Sequence, residues 1–429
     1  MKMLSFGFLL LISIAVGCGS DSGSSGTAGA GGSAGAGGSA GAGGEGGAGG
    51  QGGAGGMAGA GGEGGAGGMA GAGGAGGIGG SGGTSGPPQL LSEWGLFKSI
   101  PDQIPEDGLI PYEVTAPLFT DDAAKFRWVQ VPDGEQLVYS DTERWLNPAG
   151  TIYVKTFAYP VDARSPELGY QLIETRLLVF GEDKVDTWTY VYPEGDNNDA
   201  ERINFGPVLD VSWTNVLGET ISLDYEVPSV PQCKECHSVA GRSLGPSSGM
   251  FNRDNDYGPG IGVLNQIDYM NGLGMFDAEP PPVGERTTYV SDPAIATEAG
   301  LHDRARSYFD SNCAHCHAPA PYGEVSDKGL HLDYQSMDPD TGTSFFTWGV
   351  CKPHSSGGNG VDCEQPLDVV PGDPSSSFLL CRMESIAAGE RMAPVGRTIV
   401  HAQGVELIRE WIQELPNLFV GVTPGCPQQ

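Results

Sequence analysis

Basic residues are scarce in this chain. Its 429 residues carry 22 Lys and Arg against 53 Asp and Glu, a formal charge of −31 at neutral pH. So acidic a protein has no electrostatic means of gripping a nucleic-acid backbone or of docking directly on anionic lipid. Long apolar runs are missing too. The most apolar stretch, Leu4–Val16, is too short to cross a bilayer. Proline is absent from Gly19 to Gly86, where glycine is abundant but irregularly spaced, which excludes a collagen-like helix. Residues 90–230 hold no nucleophile motif, flavin fingerprint or metal-ligand cluster. The acidic segment Glu194–Glu201 lacks EF-hand spacing and reads as a hairpin turn, not a calcium loop.

The N-terminus reads as an export signal over residues 1–17, with Lys2 as its charged region and Leu4–Val16 as its apolar one. It runs into Ala15-Val16-Gly17-Cys18, which resembles the lipobox of bacterial lipoproteins. The resemblance implies cleavage before Cys18 and lipid on its thiol and amine, against a competing reading of a plain signal with an incidental cysteine. Several acyl chains on one residue give stable anchoring. Residues 18–88 are Gly-Ala-Gly-Gly units with no apolar period, so a disordered tether is expected, with a root-mean-square reach of about 45 Å. Met57 and Met69 read as filler in it. Only Lys2, Asp21, Glu45 and Glu63 precede residue 88, so about −29 of the charge rests on residues 89–429. That favours a basic redox partner where there is a partner; solvated acidic surface is the plainer account.

Nine cysteines are present. Four fall in two copies of Cys-x-x-Cys-His: Cys233-Lys-Glu-Cys236-His237 and Cys313-Ala-His-Cys316-His317. This pattern reads as covalent haem c attachment, two thiols forming thioethers while the adjoining His offers a nitrogen to iron. Thiol–disulfide chemistry needs neither the His nor a downstream Met, and zinc would need further ligands that are not evident. With Cys18 assigned to lipid, Cys351, Cys363, Cys381 and Cys426 remain, an even number consistent with two disulfides in an oxidising compartment. Three pairings are possible. Cys351–Cys363 would close a Gly-rich loop and Cys381–Cys426 would pin the tail, and this is the pairing expected.

The expected fold is multidomain. Residues 89–230 read as a β-rich, sandwich-like module, with strands around Thr151–Tyr159, Leu172–Phe180 and Thr187–Tyr192. Residues 231–290 form a first haem region, with a helix predicted through Ile261, Leu264, Ile267 and Met270, ended by Gly272. Residues 291–429 are expected to be mainly helical. A helix over 297–311 leads into Cys313, Asp373-Pro374 starts another through about Ser385, and Val405, Ile408, Ile412 and Leu415 share a face of the last.

The order helix, CxxCH, loop, Met392-Ala-Pro, terminal helix over 297–416 resembles class I cytochrome c. That resemblance implies thioethers at Cys313 and Cys316, His317 as proximal ligand and Met392 as distal ligand, with a backbone carbonyl near Pro319 accepting the imidazole N–H. Met383 is the rival to Met392 and reads as core. His315 reads as a surface residue, and His331, His354 and His401 as solvent or packing residues. At the first site Tyr225–Gln232 look strand-like, so no helix leads in. Met250 and Met275 are the candidate sixth ligands for the iron at His237, Met270 reads as core, and an open iron position is the alternative.

The stretch Leu90–Leu415 also resembles an uncharacterised family of exported haem-c proteins, through Ile110-Pro-Tyr, Pro117-Leu-Phe, Lys155-Thr-Phe-Ala-Tyr-Pro160, Ile173-Glu-Thr-Arg176, Leu244-Gly-Pro246 and the two motifs. The resemblance implies architecture more than activity. The expected function is a membrane-anchored dihaem cytochrome carrying single electrons in the bacterial cell envelope, with two covalent haems, on the periplasmic or outer-membrane face. Two other readings are a peroxidase-like enzyme with an open first haem fed by the second, and a β-module that binds a substrate and passes electrons to the haems.

Overall fold

A computed structural model describes residues 86–237, 246–319, 329–354 and 362–427. The predicted signal, Cys18 and almost all of the tether lie outside these residues. The strands are β1 (Phe97–Ser99), β2 (Ile104–Pro105), β3 (Ile110–Pro111), β4 (Ala124–Gln130), β5 (Ile152–Pro160), β6 (Tyr170–Phe180), β7 (Val185–Val191), β8 (Glu201–Ile203), β9 (Val208–Thr214), β10 (Thr220–Glu226), β11 (Asp254–Asp256) and β12 (Val263–Asn265). The helices are α1 (Val230–His237), α2 (Ser248–Phe251), α3 (Gln266–Gly272), α4 (Leu301–Asn312), α5 (Phe378–Glu384) and α6 (Ala402–Leu418).

Strands β3 to β8 form one antiparallel six-stranded sheet in sequence order. The long middle strands β5 and β6 are β-branched and aromatic, as the sequence leads one to expect, and both of their faces are covered. On one face Trp128, Val154, Leu177 and Tyr190 pack under the N-terminal segment carrying Leu91, Leu96, Ile100 and Leu109. The other face is apolar at its two ends. At one end Val129, Tyr153, Phe180 and Val185 meet Met250, Phe251, Ile267 and Phe276. At the other, Phe157 and Tyr159 meet Val211, Trp213, Leu223 and Tyr225 of the β9–β10 hairpin. The region is therefore one sheet with a hairpin against part of one face, not the two opposed sheets of the expected sandwich. The meander leaves only the short pair β9–β10 to stack.

Two local expectations change, and a third is met in part. Ile261 and Leu264 are exposed, and Val263–Asn265 pair with Asp254–Asp256, so the helix predicted from Ile261 begins only at Gln266. Asn265 starts it, its side-chain oxygen accepting from the Ile267 amide. The segment before the first motif is not strand throughout: α1 starts at Val230 and carries the motif itself. The Asp373 cap forms as predicted, on the Ser376 amide of a single 3₁₀ turn, and α5 follows from Phe378.

In the C-terminal part α4 crosses α6. Ala305, Tyr308 and Phe309 pack on Val405, Ile408, Trp411, Ile412 and Leu415, all buried. The crossing is close at Gly404, where an added Cβ would overlap the Tyr308 ring. The buried Trp411 indole N–H is not left unpaired but donates to His302 Nδ1 at 3.2 Å.

Four cysteines form two disulfides, but not the expected two. Cys351 pairs with Cys426 and Cys363 with Cys381. The tail folds back on the segment around Pro371, where the Gly425 amide donates to the Pro371 carbonyl. That brings Cys426 to Cys351 and leaves Cys381 on α5 facing Cys363.

Candidate functional site

Helix α4 ends at Asn312, and the second motif follows as a tight turn. The Cys316 and His317 amides both donate to the Cys313 carbonyl, at 3.1 and 2.9 Å. The turn faces a cavity of about 310 Å³. Its wall includes Cys313, Cys316, His317 and Met392, so residues far apart in sequence meet around one space. That volume lies within the range of organic ligand sites and far exceeds a bare ion. Among the described residues no group of three or more His, Cys, Asp or Glu side chains is arranged to hold a metal ion by itself.

The chemistry of the wall is consistent with a porphyrin bound through thioethers. Burial pulls the His317 imidazole down to about 4, so it is neutral near pH 7, the form that ligates iron. Burial, reinforced by Cys316, pushes the Cys313 thiol up to about 12. That is the reverse of what a reactive redox thiol requires. Three cations edge the same space: Lys352, buried and paired with Asp368 at 2.8 Å, the buried Arg397 and the half-buried Arg382. The Arg397 Nε is buried without a hydrogen-bond partner. His317 Nδ1 is likewise buried and unpartnered, so the carbonyl expected near Pro319 does not accept from it among the described residues.

The sheet region contributes to this cavity. Leu118 and Phe119, from the loop before β4, line it. Phe119 stacks on His401 with ring centroids 4.2 Å apart, and its amide donates to Asn312 Oδ1 at 2.9 Å. The buried Asp121 carboxylate accepts from the Thr398 and Ile399 amides and from the Thr398 hydroxyl. Arg391 pairs with Glu226 of β10 at 2.7 Å. The loop bearing Met392 is thus tied to the sheet region on both sides. Sequence reasoning noted Pro117-Leu-Phe but gave it no role, because nothing local says that this loop meets a segment so distant.

Met383 both joins the α4–α6 core and reaches the cavity wall. His354 and His401, read as solvent or packing residues, also line the cavity, His354 stacked on Phe378 and His401 hydrogen-bonded to Tyr308. His315, read as a surface residue, lines it too. It lies near both His237 and His317. The two motifs are therefore neighbours.

At the first motif α1 lies on the sheet. Cys233 sits against Thr189 and within electrostatic reach of Arg176 and Glu174, and burial raises its thiol. Burial lowers His237 to about 3, aided by Lys155, His315 and Arg176, and its Nδ1 is unpartnered among the described residues. The side chain of Cys236 lies outside the described residues. Met250 and Met275 are packed among Trp145, Phe251 and Phe276 and read as core side chains. No helix among the described residues is long and apolar enough to cross a membrane. Comparison with protein families, with curated proteins and with solved structures found no match.

Proposed function

We propose that the chain is a dihaem c-type cytochrome that carries single electrons in the bacterial cell envelope, tethered by lipid on Cys18. One observation carries this reading: Cys313, Cys316, His317 and Met392 line one cavity of organic-ligand size. Haem c would supply a one-electron iron couple there. Cys313 and Cys316 would hold it covalently, His317 would present a neutral imidazole, and Met392 would offer its thioether sulfur to the iron. Arg382 and Arg397 would balance its carboxylates. The α4–α6 crossing, with the motif after the first helix and the Met before the last, is the arrangement that resembles class I cytochrome c.

The proximity of His315 to both His237 and His317 supports electron exchange inside the molecule. The surplus of acidic residues suits a basic redox partner met through long-range steering. The test is a pyridine haemochrome assay with oxidised and reduced spectra on the mature, exported protein. The reading expects two haems per chain and reversible one-electron reduction. A haem-free protein, or one that turns over peroxide faster than it passes electrons to an acceptor, would overturn it.

A further inference from the structure

We propose that a row of basic side chains on the central sheet, Arg127, Lys155 and Arg176, with Lys125 beside it on the same face, seats the two propionate carboxylates of a haem attached at Cys233 and Cys236. The proposal rests on reading the first motif as a haem site.

The row is set by strand register. Arg127 on β4 lies directly opposite Lys155 on β5, and Lys155 directly opposite Arg176 on β6, with Thr189 on β7 next. Lys125 shares the face, two residues before Arg127 on β4. Like charges placed opposite one another across a sheet are destabilising, and these occupy interior strands of the sheet. Part of the charge is matched inside the protein. Arg127 pairs with Glu113 at 3.0 Å, and Arg176 with Glu174.

Two cations are left over. Among the described residues Lys155 makes no ion pair, and its ammonium stands 5.0 Å from the centre of the Phe157 ring. The Lys125 ammonium donates to the Ala123 carbonyl at 2.9 Å and makes no ion pair either. Two spare ammonium groups call for an anion of about two charges, and a haem brings two carboxylates.

The motif lies over this row. Cys233 rests against Thr189 at the end of the row, and His237 is within electrostatic reach of Lys155 and Arg176. The apolar ends of the same sheet face are covered by the clusters around Tyr153 and Phe157, so the charged stretch is confined to the centre, beneath α1. As the chain stands, burial draws Lys125 down to about 7 and Lys155 well below the ordinary lysine range, with neighbouring cations adding to both. A bound dianion removes the reason for that discharge.

The test uses the holoprotein. Lys155→Met and Arg176→Met should each retain two haems by pyridine haemochrome, because the thioethers are untouched. Spectroelectrochemical titration should then show the first haem's midpoint lowered by a tenfold change in its redox equilibrium, 59 mV for one electron, since a lost cation favours the oxidised form. The first haem is identified as the wave that Met392→Ala leaves in place. Lys155→Arg should restore the potential, and Lys125→Met, whose ammonium bonds only a neighbouring carbonyl, provides the same reading should Lys155→Met fail to fold. Two haems with unmoved potentials would overturn the seat and leave the proposed function standing. A wild-type count of one haem, at the second motif, would remove both the seat and the first site. A wild-type potential that shifts with inorganic phosphate at constant ionic strength, but not in Lys155→Met, would mean a seat open to soluble anions, and would also overturn the proposal.

Discussion

Replacing Asp121 isolates the contact that ties the sheet region to the Met392 loop. Asp121 is 1% exposed and sits at φ 46°, in the left-handed region that few side chains favour. Its carboxylate accepts from the Thr398 amide at 2.8 and 2.9 Å, from the Thr398 hydroxyl at 3.0 Å and from the Ile399 amide at 3.0 Å. Asp121→Ala strands all of these donors. Hydrogen bonds to a charged group contribute about 1.5–3 kcal/mol each, and a stranded buried donor costs about 1–3 kcal/mol. Thr398 and Ile399 are only half-buried, so water offsets part of the loss. Relief from burying the carboxylate offsets more, while Ala at a left-handed position adds about 1 kcal/mol. The net expectation is about 4 kcal/mol, a roughly thousandfold rise in the unfolded fraction. Asp121→Asn keeps one acceptor and tolerates the backbone, and should lose about half as much. Urea unfolding followed by tryptophan fluorescence measures both. A loss under about 1 kcal/mol for Asp121→Ala, or equal losses for the two variants, would refute the assignment of this stability to the carboxylate's hydrogen bonds.

Three further outcomes are expected of the same structure. On the proposed haem reading, Met392→Ala should convert the second haem to a high-spin form that binds cyanide, while Met383→Leu leaves the spectrum low-spin; visible absorption separates the two. Removing the Cys351–Cys426 bridge, which spans 75 residues, should cost about 4.5 kcal/mol, against about 3 kcal/mol for the 18-residue Cys363–Cys381 bridge. Denaturant midpoints of the paired Ser variants give that order, and equal losses would contradict it. Burial lowers His401 to about 4, aided by Lys125 and Arg397, so the unfolded chain binds its proton first. Its contribution is intact above about pH 6.5 and is lost as pH falls towards 4, with a slope of at most about 1.4 kcal/mol per pH unit. His401→Gln should flatten stability measured across that window.

What the sequence made legible divides by the range of the interaction that decides it. The strands β5, β6 and β7 were legible from their β-branched and aromatic composition, and the helix α6 from apolar residues recurring every third to fourth position. The helix expected from Ile261 was not, because a short apolar pattern fits a strand as well, and pairing with Asp254–Asp256 decided the outcome. The motif residues and Met392 could be singled out by type and order, but the roles of Leu118, Phe119 and Asp121 could not. Those depend on a loop meeting residues nearly 300 positions away, and no local signal encodes that. The basic row was hidden for a similar reason. Arg127, Lys155 and Arg176 belong to three separate strands, and only register sets them side by side. The disulfide pairing was equally non-local, decided by where the tail returns.

The tie between Asp121 and Thr398 also sets a biosynthetic clock. The partners are separated by 277 residues, and at about 5–20 residues per second a ribosome needs roughly 14–55 seconds to supply the second after the first. Over that interval the sheet can form, but the wall carrying Leu118 and Phe119 has nothing to close against. The thiols of Cys313 and Cys316 emerge before Met392 and the final helix exist to bury them. On the proposed haem reading, attachment at those thiols therefore has its widest access to a nascent or freshly delivered chain, and completing the C-terminus closes that window.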